Sequence, residues 1–129
     1  MKYNLFLDDQ RFPKDVTWVK YKIPHVDWTI VRNYKEFVDV ILDKGMPEMV
    51  SFDHDLEPDK IDGDILNLKS CKIIRSMTGY DCAKWLVDYC MKDNLPFPKY
   101  YVHSMNPVGK TNIEKYIENY KKMFDGYNN

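Results

Sequence analysis

The sequence predicts an α/β fold, a mostly parallel four-stranded sheet with helices packed on it. Three observations carry that expectation. Four short apolar runs, each ending at polar residues, have strand length. Stretches of helical period alternate with them, which is the pattern of a parallel sheet covered on both sides. The length of 129 residues gives one domain a real core and is too short for two ordinary domains, so residues 1–129 are taken as a single unit.

The first strand is YNLFL, residues 3–7, cut off at Asp8. Pro13 and Pro24 bracket DVTWVKYKI, which has no helical period and is expected to be an irregular crossover. DWTIVR, 27–32, is the second strand. Asn33 and Glu36 then form a capping-box pattern; Tyr34, Phe37, Val38 and Ile41 share one helical face, and Gly45 and Pro47 stop it. EMVSFD, 48–53, is the third strand. A long segment, about 54–77, carries both charge signs and is expected to be a loop or an insertion. Thr78 and Asp81 resemble a second capping box, opening a helix with Ala83, Leu86, Val87, Cys90 and Met91 on one side, broken by NLPFP. KYYVHS, 99–104, is the fourth strand. The last helix aligns Ile113, Tyr116, Ile117, Tyr120 and Phe124.

Composition excludes several functions. A formal net charge of −1 provides no overall basic field, so bulk duplex nucleic acid is not an expected partner and any phosphate contact must be local. No apolar run approaches the roughly 20 residues of a membrane helix, and the start MKYNLFLDD does not resemble a signal peptide. Three cysteines, Cys71, Cys82 and Cys90, without a C-x-x-C pair, argue for reduced thiols in or near the core of a cytoplasmic protein. Aromatic residues make up 15%; in a small domain such rings serve as core and rim more often than as platforms for bases.

The chemistry gathers where strands end. Asp8 and Asp9, Asp53 and Asp55, and His103 and Ser104 all lie at or just past the carboxyl end of a predicted strand. In parallel sheets, that edge is where ligands bind. Like charges crowded there repel unless a cation lies between them. Carboxylates suit Mg²⁺ or Mn²⁺, which keep waters and reach a substrate phosphate. Turn capping is the rival reading for Asp8 and Asp9, and Asp53 is alternatively a nucleophile towards phosphorus. His54 and His103, beside carboxylates or a hydroxyl, are candidates for moving protons, with a structural role as the rival. His25 has no such company and is expected at the surface. Ser104, Asn106 and Lys110 surround a helix start suited to an anion, with plain capping as the alternative for Asn106. Arg11 fits a phosphate oxygen or a salt bridge to Asp8 or Asp9 equally well.

Three motif matches are discounted. DHDLEPDKIDGD has Pro58 and Asp64 where a calcium loop needs Gly and Glu. VGKT, 108–111, has Ser104 where a phosphate loop needs Gly. FDHDL looks like the Asp-x-Asp motif of haloacid-dehalogenase phosphatases, but that motif ends their first strand and here it ends the third.

Together, LFLDDQRFP, FDHDL, TGYDCAKWLV and VHSMNPVGKTNI resemble the cyclic-phosphate-processing receiver-like domains, small relatives of response-regulator receivers found in bacteria and phages. The resemblance runs in order from residue 5 to about 117. It implies a shortened receiver-like (flavodoxin-like) three-layer sandwich, an acidic pocket at Asp8 and Asp9, and the acidic strand end at Asp53. His54, Asp55, His103 and Ser104 match family motif positions. It implies action on a cyclic phosphate of a nucleotide or RNA end, in a bacterial cytoplasm or in the host's if phage-encoded. One departure is Glu57, where relatives often carry Gly. The alternative is a non-enzymatic receiver-like module that binds a nucleotide signal or is phosphorylated on Asp53. Lys110 lies later than the lysine true receivers use, which weakens that reading.

Overall fold

The computed structural model describes residues 3–21, 27–56 and 77–128. Strands β1 (Asn4–Leu7), β2 (Trp28–Val31), β3 (Met49–Phe52) and β4 (Lys99–Val102) form one sheet in the order β2-β1-β3-β4, with every neighbouring pair parallel. Helix α1 (Tyr34–Lys44) connects β2 to β3, α2 (Gly79–Lys92) precedes β4, and α3 (Pro107–Asn128) follows it. This is the α/β receiver-like architecture predicted from the sequence.

Strand register decides which residues meet. Leu7, Val31, Phe52 and Val102 lie in one row across the sheet, and Leu5 and Val50 in another. Side chains alternate between faces along a strand. These rows share one buried cluster with Phe37 and Ile41 of α1, Leu86 and Cys90 of α2, and Ile113 and Ile117 of α3. All three helices therefore cover the same face.

The opposite face carries Phe6, Ile30, Ser51 and Tyr101, again in register. Among the described residues it is covered by the chain between β1 and β2. A 3-10 turn at Pro13–Asp15 leads to buried Val16, and the Tyr21 ring packs edge-on against Trp28 and Tyr101. Among the described residues, this third layer is made of a 3-10 turn, irregular chain and aromatic rings. Strand order gives the reason: β1 to β2 steps one way across the sheet and every later step goes the other way. Right-handed crossovers then put the two connections on opposite faces.

Helix starts are fixed by side chains. Thr78 accepts from Asp81 N while Asp81 accepts from Thr78 N at 2.8 Å, so the capping box of α2 is complete. That of α1 is only half formed. Asn33 accepts from Glu36 N at 2.8 Å, but the Glu36 carboxylate takes the Arg32 N–H instead of that of Asn33. Asn94, at φ 54°, ends α2 in the left-handed conformation. Cys82 and Cys90 are buried free thiols, and burial pushes that of Cys90 up to about 12. Rings mostly meet other rings, as in the Phe37, Phe52 and Trp85 contacts. No helix among the described residues is long and apolar enough to cross a membrane. His25, Cys71 and most of the long 54–77 segment lie outside the described residues.

Candidate functional site

The row after Leu7, Phe52 and Val102 is Asp8, Asp53 and His103. The ladder continues into it: Asp8 N donates to Val31 O, Asp53 N to Leu7 O and His103 N to Phe52 O. Three adjacent strand ends thus place their next side chains on one side of the sheet. All three are buried, at 1%, 5% and 0% exposure, and they offer ligand atoms within 4.8 Å of one another.

Asp8 is anchored from several directions. Its Oδ1 accepts from Gln10 N at 2.9 Å and Arg11 N at 2.8 Å; its Oδ2 lies 3.0 Å from His103 Nε2 and 3.7 Å from an Arg11 guanidinium nitrogen. Arg32 holds the loop beneath, donating to Asp8 O and Arg11 O. Burial alone would raise the Asp8 carboxyl. The hydrogen bonds from His103 and the two backbone N–H groups outweigh it and hold the group down at about 2. Asp53 has the opposite balance. Burial first, and then the charge of Asp8, push its carboxyl up to about 6, against a single hydrogen bond from His54 N. Two carboxyls in one site are driven apart, one fixed as an anion and one reluctant to ionise.

Both open onto a cleft of about 460 Å³ whose lining includes Asp9, Arg11, Asp55, Ser104 and Asn106. The two acid pairs predicted to converge do face one cleft, but with unequal parts. Asp9 and Asp55 stay outside the tight cluster. They lie two and three residues past their strand ends, beyond the row that points inward. The Asp55 carboxylate is largely exposed and is taken by His54 Nδ1 at 2.8 Å and Asn106 Nδ2 at 3.3 Å. Asp9 and Asp55 both stand at the rim of the cleft. Asn106 caps α3 through Gly109 N at 3.0 Å, so both its readings hold: cap and cleft wall. The Ser104 hydroxyl accepts from Asn106 N at 3.1 Å and retains its own hydrogen to donate.

Three further residues of the sequence reading are placed as follows. His103 is fully buried, with Nδ1 2.7 Å from Ser51 Oγ and Nε2 on Asp8. Both nitrogens are occupied, and the ring stands behind Asp8. His54 does not line the cleft: its ring lies against Gly109, where an added Cβ would come within 2.3 Å of it. Lys110 is exposed and lines a separate cleft with Trp18, Tyr101 and Glu114. Arg11 remains as the cation among the cleft residues, stacked at 5.2 Å on the Trp18 ring.

Ser51, Tyr21, Phe6 and Trp18 escaped the sequence reading. The Tyr21 hydroxyl lies 2.7 Å from Ser51 Oγ, the Phe6 ring stacks on His103 at 4.6 Å, and Trp18 Nε1 donates to His103 O. Ser51 did leave a signal, a hydroxyl in the otherwise apolar run of a central strand, where an unbonded polar group is costly. The other three are aromatic residues like any others in the sequence.

Fold and site together define a receiver-type α/β domain whose two central strands end in paired buried carboxyls. The family comparison agrees and is more specific: the cyclic-phosphate processing receiver domain matches residues 3–119, and the chain belongs to that family. No curated protein and no solved structure matches it.

Proposed function

We propose that this domain is a metal-dependent phosphoesterase that opens a cyclic phosphate on a nucleotide or an RNA end, using Mg²⁺ or Mn²⁺. The observation that carries the reading is the unequal pair Asp8 and Asp53, side by side at the ends of adjacent strands and open to one cleft. The donor set fits such an ion. Two carboxylate oxygens suit a hard cation that keeps several waters. The positive charge offsets the burial and, after it, the charge of Asp8 that hold the Asp53 carboxyl up.

Asp8 and Asp53 are the residues that would hold the ion. When bound, it supplies Lewis-acid polarisation of the phosphoryl group and a water of lowered pKa. The chain's own residues do the rest. Asp8 stays ionised and fixed in direction. Arg11 and the Ser104 hydroxyl provide donors for nonbridging phosphate oxygens, and Asn106 holds Asp55 at the rim. The reaction adds water across one ring P–O bond. Hydroxide joins phosphorus, the bond to one ribose oxygen breaks, and that oxygen takes the proton, leaving a monoester. With both histidines away from the cleft, the proton comes from solvent.

The alternative, a module phosphorylated on Asp53, lacks support in the cleft. Lys110 lines a separate cleft, and among the described residues no lysine lines the cleft of Asp53 to meet a phosphoryl group. The test is a panel of 2′,3′-cyclic nucleotides, cyclic-phosphate RNA ends, cyclic dinucleotides and ADP-ribose cyclic phosphate, with Mg²⁺ or Mn²⁺, products read by mass. A product one water heavier, lost in Asp53→Asn, is expected. No turnover of any of them, or full activity in Asp53→Asn, overturns the proposal. A stable acyl phosphate after treatment with acetyl phosphate would favour the alternative.

A further inference from the structure

Behind Asp8 runs a continuous line of polar atoms through an otherwise aromatic interior: Tyr21 OH, Ser51 Oγ, His103 Nδ1 and Nε2, and Asp8 Oδ2, with separations of 2.7, 2.7 and 3.0 Å between residues. The residue types match those of a hydrolytic triad, but Ser51 is fully buried and cannot meet a substrate. Donor counting gives the direction instead. An ionised Asp8 has only acceptors, so His103 Nε2 carries a hydrogen. Ser51 has one hydrogen, to give either to His103 Nδ1 or to Tyr21. With a neutral imidazole, Ser51 giving to His103 Nδ1 and Tyr21 giving to Ser51 Oγ leaves every group of the line paired within it.

We infer that Tyr21, Ser51 and His103 are positioning residues, a one-way hydrogen-bond chain that locks His103 as its Nε2–H tautomer and thereby fixes Asp8 as an oriented anion for a divalent cation. This deepens the proposed function and rests on it. Stacking on Phe6 and the bond from Trp18 to His103 O hold the ring plane. A hydrogen bond from behind to a cation's carboxylate or imidazole is the usual way such sites are stiffened. Among the described residues, Asp53 has only the bond from His54 N, so Asp8 is held at more points than Asp53.

The experiment has two readouts on the whole chain. In the first, ¹⁵N NMR of the apo protein at neutral pH reports which ring nitrogen of His103 bears hydrogen. Nε2–H alone is expected; hydrogen on Nδ1 overturns the chain. In the second, Mn²⁺ affinity is measured by titration calorimetry for wild type, Tyr21→Phe, Ser51→Ala and Ser51→Cys. Cysteine fills the space of Ser51 but bonds weakly. Both Ser51 variants should bind roughly tenfold more weakly, the low end for such supporting bonds. Tyr21→Phe should shift the same way by less. Should Ser51→Cys bind like wild type, the role is packing and the inference falls. If wild type binds no Mn²⁺, the proposed function falls and the tautomer readout still decides the chain.

Discussion

Asp53 is the residue at which stability and proposed function oppose one another. Its carboxyl is raised from 3.8 to about 6, so in the folded state the proton is held more tightly than in the unfolded chain. The associated stability is present below about pH 4 and is lost as pH rises through about 6. Asp8 has the opposite sign. Held at about 2, it contributes stability above about pH 4, lost as pH falls towards 2. Asp53→Asn keeps the acceptor for His54 N and removes the reluctant charge. It should stabilise the metal-free protein at pH 7.5 by on the order of 2 kcal/mol, the roughly 3 kcal/mol that about 1.4 kcal/mol per pKa unit gives being reduced by solvent screening. In thermal melts this is roughly 5–10 °C, fading to nothing near pH 4. If Asp53→Asn were no more stable than wild type at pH 7.5, burial and the charge of Asp8 would not hold that carboxyl up. Such a gain from deleting a site residue is the expected mark of a site built for charge.

The elements that carry the site were legible in proportion to how local their causes are. Strand ends, the stripe of α2 and its capping box follow from neighbouring residues, and they stand where the sequence puts them. The partners of His103 were not legible, because register and not proximity in sequence brings Ser51 and Asp8 to the same ring. Nor could spacing tell that α3 turns Lys110 away from the acids, a matter of helix rotation. One junction does depend on a single local choice. Gly79 N donates to His54 O at 2.7 Å, and a Cβ at Gly79 would sit 1.7 Å from Asp53 O, a backbone atom that cannot step aside. Gly79→Ala must push the start of α2 off the end of β3. It should cost about 3 kcal/mol in urea denaturation, as overpacking of a tight contact does. Thr78→Ala, which only removes the adjacent cap, should cost about 1 kcal/mol. Equal costs for the two would mean that this contact does not set the spacing.

For the whole molecule, folding and cation binding meet in the same charge balance. A parallel sheet brings the ends of β1 and β3 together whether or not a cation is there, so the apo fold carries the repulsion by itself. A ligand that binds only the folded state raises stability by an amount set by its concentration over its dissociation constant, about 2.7 kcal/mol at a hundredfold excess. With Asp53 holding its proton up to about pH 6, a cation must displace that proton in more acidic solution. At pH 5, one unit lower, apparent affinity should fall about tenfold, removing about 1.4 kcal/mol of that gain. Melts with and without Mn²⁺ at fixed concentration should therefore show a clearly larger rise at pH 7.5 than at pH 5, reversed by chelator. In Asp53→Asn the rise should disappear at both values. An equal shift at pH 5 and 7.5 in wild type would place the bound ion away from Asp53, and with it the chemistry assigned to the strand ends.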